Sequence, residues 1–447
     1  MELRFSNQDL KKLIIPLVIE QVLAISVGVA DTVMVSHVGE AAVSGVSLVD
    51  MINVLCIQLF AALGTGGAVV CAQFIGQKRK DLACQSADQL ILISAVISVL
   101  VMAVCLAFDE PIIRLAFGKI DADVMENARI YLMITSLSFP FVAVYNSCAA
   151  LFRAMGNSRI SMLTSLVMNV INIGGNAILI FGLHRKVEGV AIPSLVSRAV
   201  AAVIMMILIR NPELPVHTGR KLCLRFDRKM IGRILGIGVP SGMESCFFNL
   251  GKIMVLSIIS AFGTTQIAAN AVANNVDNVC CIPGNAMGLA MITVIGQCVG
   301  AGDVEQVKYY TKKLMKITYV TMSSLIIVIL LSQPLIFRMY NLSPETMALA
   351  KILMSMHNIT ALFLWPLAFT FPNMLRSCND VAYTMVVSIV SMCVGRILFG
   401  FILGKYMGYG AIGVCAAMLL DWVFRLTFFL IRYFRGSWKK TMFRYAG

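Results

Sequence analysis

The sequence predicts an all-α membrane protein with twelve transmembrane helices, arranged as two pseudo-symmetric six-helix bundles. Three observations carry this expectation. Apolar runs of roughly 20 residues recur along the whole chain, each long enough to cross a bilayer as a helix. Charged residues make up only 13% of the 447 residues and hydrophobic ones 59%, whereas soluble domains carry about 25% charged residues. The chain also repeats itself. IPLVIEQVLAISVGVADTVMVSHVG at 15–39 returns at 239–263 as VPSGMESCFFNLGKIMVLSIISAFG, at a constant offset of 224. Pro16 meets Pro240, Glu20 meets Glu244 and Gly39 meets Gly263, while Asp31 meets Val255. Helices satisfy their own backbone in lipid, and the alternating strands of a barrel do not occur in this sequence.

Helices are expected over residues 10–36, 44–75, 86–108, 126–151, 159–182, 188–209, 231–260, 266–299, 310–331, 345–374, 383–404 and 410–433. Several exceed 25 residues, which implies tilt, bending or extension beyond the hydrocarbon. Pro16 and Pro240 fall inside the first and seventh helices. Each removes an internal hydrogen bond and marks a structural bend.

The loops fix the orientation. With both termini cytoplasmic, 25 of the 37 lysines and arginines fall in inner segments and 8 in outer ones. The other four, Arg198, Lys252, Arg396 and Arg425, lie within helices. This is the positive-inside pattern of a multi-pass protein of the cytoplasmic (inner) membrane. It accounts for the formal net charge of +14 without a nucleic-acid partner. The longest polar stretch, RNPELPVHTGRKLCLRFDRKM at 210–230, reads as a cytoplasmic linker between an N-terminal bundle (1–209) and a C-terminal bundle (231–435). A cytoplasmic tail follows at 436–447.

The repeat extends beyond its opening. Gln73 and Gly76 match Gln297 and Gly300, Gly64 matches Gly288, and Gly189 matches Gly413. Arg153 echoes Arg376 after a slip of one residue. Six helices separate the copies, so both run the same way through the membrane. Such a parallel repeat about an axis along the membrane normal is a plan of secondary transporters.

Other classes find little in the sequence. Thirteen cysteines lie almost all within apolar helices without C-x-x-C spacing, and read as small packing residues. The opening MELRFSNQDLKKLIIPLVIE is expected not to be a cleaved signal peptide, because its apolar run is too long. His37, His184, His217 and His357 are scattered, and Gly64, Gly66 and Gly67 fall inside a helix, so neither a metal site nor a phosphate loop is expected. No enzyme activity and no organic cofactor are expected.

Acidic residues in apolar helices are costly and therefore conspicuous. Asp421 lies four residues before Arg425, which predicts a structural ion pair. Asp50 and Asp277 lie near the outer ends of the second and eighth helices and are candidates to line a substrate cavity. Asp31, about fifteen residues beyond Pro16, sits some 22 Å deeper into the membrane at about 1.5 Å per residue. A carboxylate there is either protonated and silent or holds an exchangeable cation. Asn169, Asn172 and Asn176 on the fifth helix recur at spacings of three and four, which puts Asn172 and Asn176 on one face. Asn146 and Ser194 are candidates for the same interior. These oxygens suit H⁺ or Na⁺, with Na⁺ at Asp31, Asn172 and Asn176; equally, amides in lipid glue helices together. Glu20 and Glu244, each four residues after a proline, either line a cavity that attracts cations or mark where their helices begin.

Taken together, these residues resemble the multidrug and toxic compound extrusion (MATE) transporters. The likeness covers about residues 10–435. It runs through Pro16, Glu20-Gln21, Ala30-Asp31-Thr32-Val33-Met34 and Gly39, then Gln73-Phe74-Ile75-Gly76 and Phe152-Arg153-Ala154-Met155-Gly156-Asn157. Asn172, Asn176, Phe181-Gly182 and Gly189-Val190-Ala191 follow in the family's order. The resemblance implies a V-shaped pair of bundles around a central cavity. It implies efflux of small amphipathic organic cations, driven by inward Na⁺ or H⁺ through alternating access, by a monomer in the bilayer. It also implies a first-half cation site of Asp31, Asn172, Asn176 and Ser194, with Asn146 nearby. The chain departs from members with a helix-ten aspartate: KILMSMHNITALFLWPLAF offers only His357 and Asn358, which places it nearer the DinF-like branch. Two other readings stay open, a flippase for lipid-linked precursors and a non-transporting membrane component.

Overall fold

A computed structural model describes residues 3–219, 225–340 and 342–443. Arg220, Lys221 and Arg444, counted above among the inner charges, lie outside the described residues. Two compact units form, Arg4–Gly242 and Met243–Gly447, the latter together with Leu3.

The first unit holds α1 (Asn7–Val35), α2 (Glu40–Gly76), α3 (Lys80–Ala107), the short α4 (Asp109–Phe117), α5 (Ala122–Leu137), α6 (Phe139–Ala154), α7 (Ser158–Ala177) and α8 (Glu188–Leu208). A wider π turn, Ile178–Gly182, continues α7. The helix α9 (Arg228–Ser260) begins in this unit and ends in the next. The second unit continues with α10 (Thr264–Cys280), α11 (Ile282–Gly300), α12 (Val304–Leu331), the short α13 (Gln333–Met339), α14 (Pro344–Ala361) and α15 (Pro372–Ser377). Then come α16 (Val381–Tyr406), α17 (Gly410–Phe434) and the short α18 (Trp438–Met442). Among the described residues, ten helices are long and apolar enough to cross a bilayer, and two bent pairs bring the count to twelve.

The starts follow local chemistry. Ser6 and Asp9 form a reciprocal capping box at α1, and Asp303 caps α12 through the Gln306 amide. Pro16 and Pro240 both lie inside continuous helices. Bends of more than 40° at breaks between helices occur at two other places. Residues 126–151, expected as one helix, divide at Ser138 into α5 and α6, which meet at 46°. Residues 345–374 likewise divide, with a bend of 64°. Pro140 stands in the first turn of α6, and Pro366 and Pro372 follow the second break. A proline supplies no N–H to the turn before it, so the chain redirects there. The span expected at 266–299 also breaks, at Cys281.

The repeat is visible in the turns. Gly39 and Gly263 both precede helices at positive φ, +135° and +98°. Gly156 and Asn379 both take the left-handed conformation after an arginine-bearing helix. Within the first unit α2 and α9 touch so closely that a Cβ on Gly66 would lie 2.6 Å from the Ile234 carbonyl oxygen. Small residues permit such backbone approach where lipid gives helices no hydrophobic reason to associate. This contact explains why the start of α9 belongs to the first unit.

Candidate ion-coupling site

The face of α7 that meets α1 is a stripe of small polar residues: Ser158, Ser161, Ser165, Asn169, Asn172 and Asn176, spaced by three or four. Helical periodicity puts them on one side, and all six are buried. They fasten α7 along α1. Ser158 donates to the Leu13 carbonyl at 2.6 Å, Ser161 to Glu20 at 2.8 Å, and Asn169 to the Leu23 carbonyl at 2.9 Å. The last rung is the chemical one: Asn176 Nδ2 donates to Asp31 Oδ1 at 2.5 Å.

Around that rung lie the other expected residues. Asn176 also donates to Asn172 Oδ1 at 3.3 Å, and Asn172 donates to Ser194 Oγ at 2.9 Å. Asp31, Asn172, Asn176 and Ser194 therefore form one hydrogen-bonded chain from α1 through α7 to α8. Asp31 is half-buried, while Asn172, Asn176 and Ser194 are buried. The π turn begins two residues beyond Asn176; such turns are frequent at functional sites. Among the described residues no ion pair engages Asp31. Asn146 lies on α6, with its carbonyl oxygen against Gly64. No described hydrogen bond links Asn146 to the four-residue chain.

Sequence reading missed the second layer. Asp50 on α2 accepts from Tyr131 at 3.1 Å and from Asn53 at 3.4 Å. Thr135 donates to Asn53 at 3.3 Å. Asp50 and Arg198 lie within electrostatic reach of Asp31, and Arg198 donates to Ser138 at the break between α5 and α6, at 2.7 Å. Asp50, expected along a substrate cavity, stands in the polar layer beside Asp31. Tyr131 and Thr135 sit one turn apart, which was the available sequence signal. It was too common to single out.

The paired glutamates have a different environment. Glu20 meets Arg153 at 3.1 Å and accepts from Ser161. Glu244 meets Arg376 at 2.7 Å and accepts from Ser388 at 2.6 Å. The same glutamate–arginine–serine arrangement thus occurs in both units, with both glutamates buried. Asp277 bonds His357 at 2.9 Å and Asn358 at 3.0 Å, and lines a cavity within the second unit. Asp421 pairs with Arg425 at 2.9 Å, as the spacing predicted, and also with Arg396 at 3.2 Å.

The oxygens around Asp31 suit a monovalent cation or a proton. Asn176 Oδ1 is buried and accepts no hydrogen bond among the described residues. Rotation of that amide would turn its oxygen toward the carboxylate, where it could accept from a protonated acid or ligate Na⁺. Among the described residues no group of three His, Cys, Asp or Glu is placed to hold a metal ion.

Comparison with known proteins agrees with this architecture. The MatE family model matches the chain twice, at residues 16–178 and 240–402, in the register of the internal repeat. An "Uncharacterized transporter YisQ" of Bacillus subtilis (strain 168) is 26% identical, covering 91% of this chain and 90% of its own length. A "Probable multidrug resistance protein NorM" of Thermotoga maritima is 25% identical over 97% of this chain and 93% of its own. A solved structure, described as the outward-facing conformation of a multidrug resistance MATE family transporter of the MOP superfamily, superposes with a TM-score of 0.89. It shares 21% identity over 98% of this chain and the whole of that one. A helical membrane protein built on this repeat, matched by the family model in both copies, is a MATE family transporter.

Proposed function

We propose that this protein is an H⁺- or Na⁺-coupled antiporter that exports small amphipathic, mostly cationic compounds across the cytoplasmic membrane by alternating access. The relatives' multidrug names support export of drugs. The coupling reading rests on one observation: Asp31, inside a membrane helix, is engaged by a neutral amide and not by a fixed positive charge. An ionised carboxylate in lipid is costly unless compensated. Asp31 is therefore driven either to hold a proton or to hold a cation. The amides of Asn172 and Asn176 and the hydroxyl of Ser194 compensate either state without locking it.

Each state asks something different of Asn176. The ionised acid accepts from its NH₂, as the structure has it. The protonated acid, or Na⁺, calls for its oxygen. Ion release and ion binding thus re-sort the hydrogen bonds that tie α1 to α7 and α8. Drug and ion exchange if the two favour different conformations of the carrier.

The test is uphill export by purified protein in liposomes under an imposed pH or Na⁺ gradient. Asp31→Asn removes the exchangeable charge at nearly constant volume and is expected to abolish uphill export in a folded protein. Near-normal uphill export by Asp31→Asn would sink the proposal. Loss of Na⁺ dependence with proton-driven export intact would reassign Asp31 to an accessory Na⁺ site.

A further inference from the structure

A cavity of about 500 Å³ lies within the second unit, and its walls stand where the repeat carries the polar layer of the first. At the offset of 224, Asp31, Asp50, Asn53, Asn172, Ser194 and Arg198 become Val255, Asn274, Asp277, Arg396, Met418 and Trp422. All six of these line the cavity. It is the second copy of the first-half site, rebuilt with other chemistry.

The charge changes sign between the copies. The first holds two carboxylates, Asp31 and Asp50, with one guanidinium, Arg198. The second replaces the Asp31 position with valine and adds two cations to its wall, Lys252 and Arg396. Asp277 is already engaged by His357 and Asn358. Asp421 is shared by Arg396 and Arg425, so two guanidiniums divide one carboxylate and a positive charge is left over. Lys252 has no carboxylate partner among the described residues. Its ammonium stands over the Phe248 ring at 5.0 Å, and the Arg396 guanidinium lies at 5.4 Å from the same ring. With Arg425, also at 5.4 Å, three cations gather on one aromatic side chain. Trp365, Phe369 and Trp422 complete an apolar aromatic wall. A ligand pocket combines such a wall with a few placed polar groups, and the Lys252 side chain is exposed along this wall, open to a ligand's counter-charge.

We infer that this cavity is a second ligand site, for an aromatic or amphipathic anion: its carboxylate or phosphate at Lys252 and Arg396, its apolar body against Phe248, Trp365 and Trp422. The site goes beyond the antiport reading, since the counter-charge of the ligand is the reverse of that expected for the exported cations.

The protein carries three tryptophans, Trp365, Trp422 and Trp438, and two of them line the cavity. Pyrene accepts energy from tryptophan, so the full chain in phosphatidylcholine nanodiscs reports binding directly. The probes are 1-pyrenebutyrate and a pyrenebutyl trimethylammonium of the same length. The carboxylate probe is expected to bind saturably and more tightly than the cation. Lys252→Gln should raise its dissociation constant roughly tenfold or more, Lys252→Arg should restore it, and neither change should weaken the cationic probe. Tighter binding of the cation by the unaltered protein, or carboxylate binding unmoved by Lys252→Gln, would overturn the inference. Phosphatidylglycerol added to the discs separates the sources of the anion. Competition with pyrenebutyrate identifies a lipid phosphate as the occupant, its absence a soluble anion, and either upholds the site. Binding needs no gradient, so failure here is distinct from failure of uphill export in liposomes.

Discussion

The partner of a buried carboxylate decides what it can do. Glu20 and Glu244 each face an arginine and a serine. A guanidinium that close holds the charge in place and disfavours exchange with a mobile ion. Asp31 faces an amide, which serves both states of the acid. Loss of one partner from a buried ion pair leaves the other charge uncompensated and costs about 3–5 kcal/mol. Glu20→Gln and Glu244→Gln are therefore both expected to lower the thermal stability of the purified protein, by similar amounts. Asp31→Asn, which breaks no ion pair, should lower it much less. Melting curves of the three variants in one detergent check this. Unchanged stability with weakened drug export in Glu244→Gln would instead support the role expected for it along a substrate cavity.

At the scale of the helix, the repeat predicts similar shapes but not similar tolerances. Gly189 and Gly413 occupy equivalent positions at the starts of α8 and α17. A Cβ on Gly413 would stand 2.6 Å from the backbone of Leu403, which cannot give way. On Gly189 it would meet the Ile180 side chain at 3.0 Å, which can shift. Gly413→Ala should cost about 1–3 kcal/mol by overpacking, and Gly189→Ala clearly less, as read by thermal or urea unfolding of the two variants. Much of this architecture was legible in the sequence. Apolar length gave the spans, and the constant offset gave the duplication. The three-and-four spacing of Asn169, Asn172 and Asn176 gave a face that the structure finds against α1. The breaks at Ser138 and before Pro366 were not legible, because the apolar runs continue through them and a proline inside such a run also fits a continuous helix, as Pro16 shows. Nor was the pairing of Glu20 with Arg153, since no local pattern brings together residues that far apart. The bond of Asp50 to Tyr131 was hidden for the same reason, since the two stand on different helices.

For the whole molecule, the duplication has kept one scaffold and changed its chemistry. The turns, the glutamate–arginine pairs and one bent helix pair occur in each unit, whereas the break at Cys281 has no counterpart in α2 and Asp31 has a valine as its counterpart. The 25-to-8 charge bias predicts a cytoplasmic Lys78–Lys80 loop, so this loop should react with a membrane-impermeant thiol reagent, once given a cysteine, only from the cytoplasmic side. Orientation alone does not make an antiporter; that needs the two ligands to oppose each other. Linkage makes the opposition measurable. If the ion at Asp31 changes drug affinity by some factor, the drug must change ion affinity by the same factor. For coupling of about 1–3 kcal/mol that factor is roughly 5–150. Purified protein should therefore bind a cationic dye 5–150-fold more weakly, in this estimate, at saturating Na⁺ or low pH, whichever ion drives export. Saturating dye should weaken ion binding equally. In Asp31→Asn both factors should fall to about one while the dye still binds, because the site that senses the ion is gone but the scaffold is not. A factor that persisted in Asp31→Asn would place the coupling elsewhere in the molecule, and Asp50 beside it would be the first residue to replace.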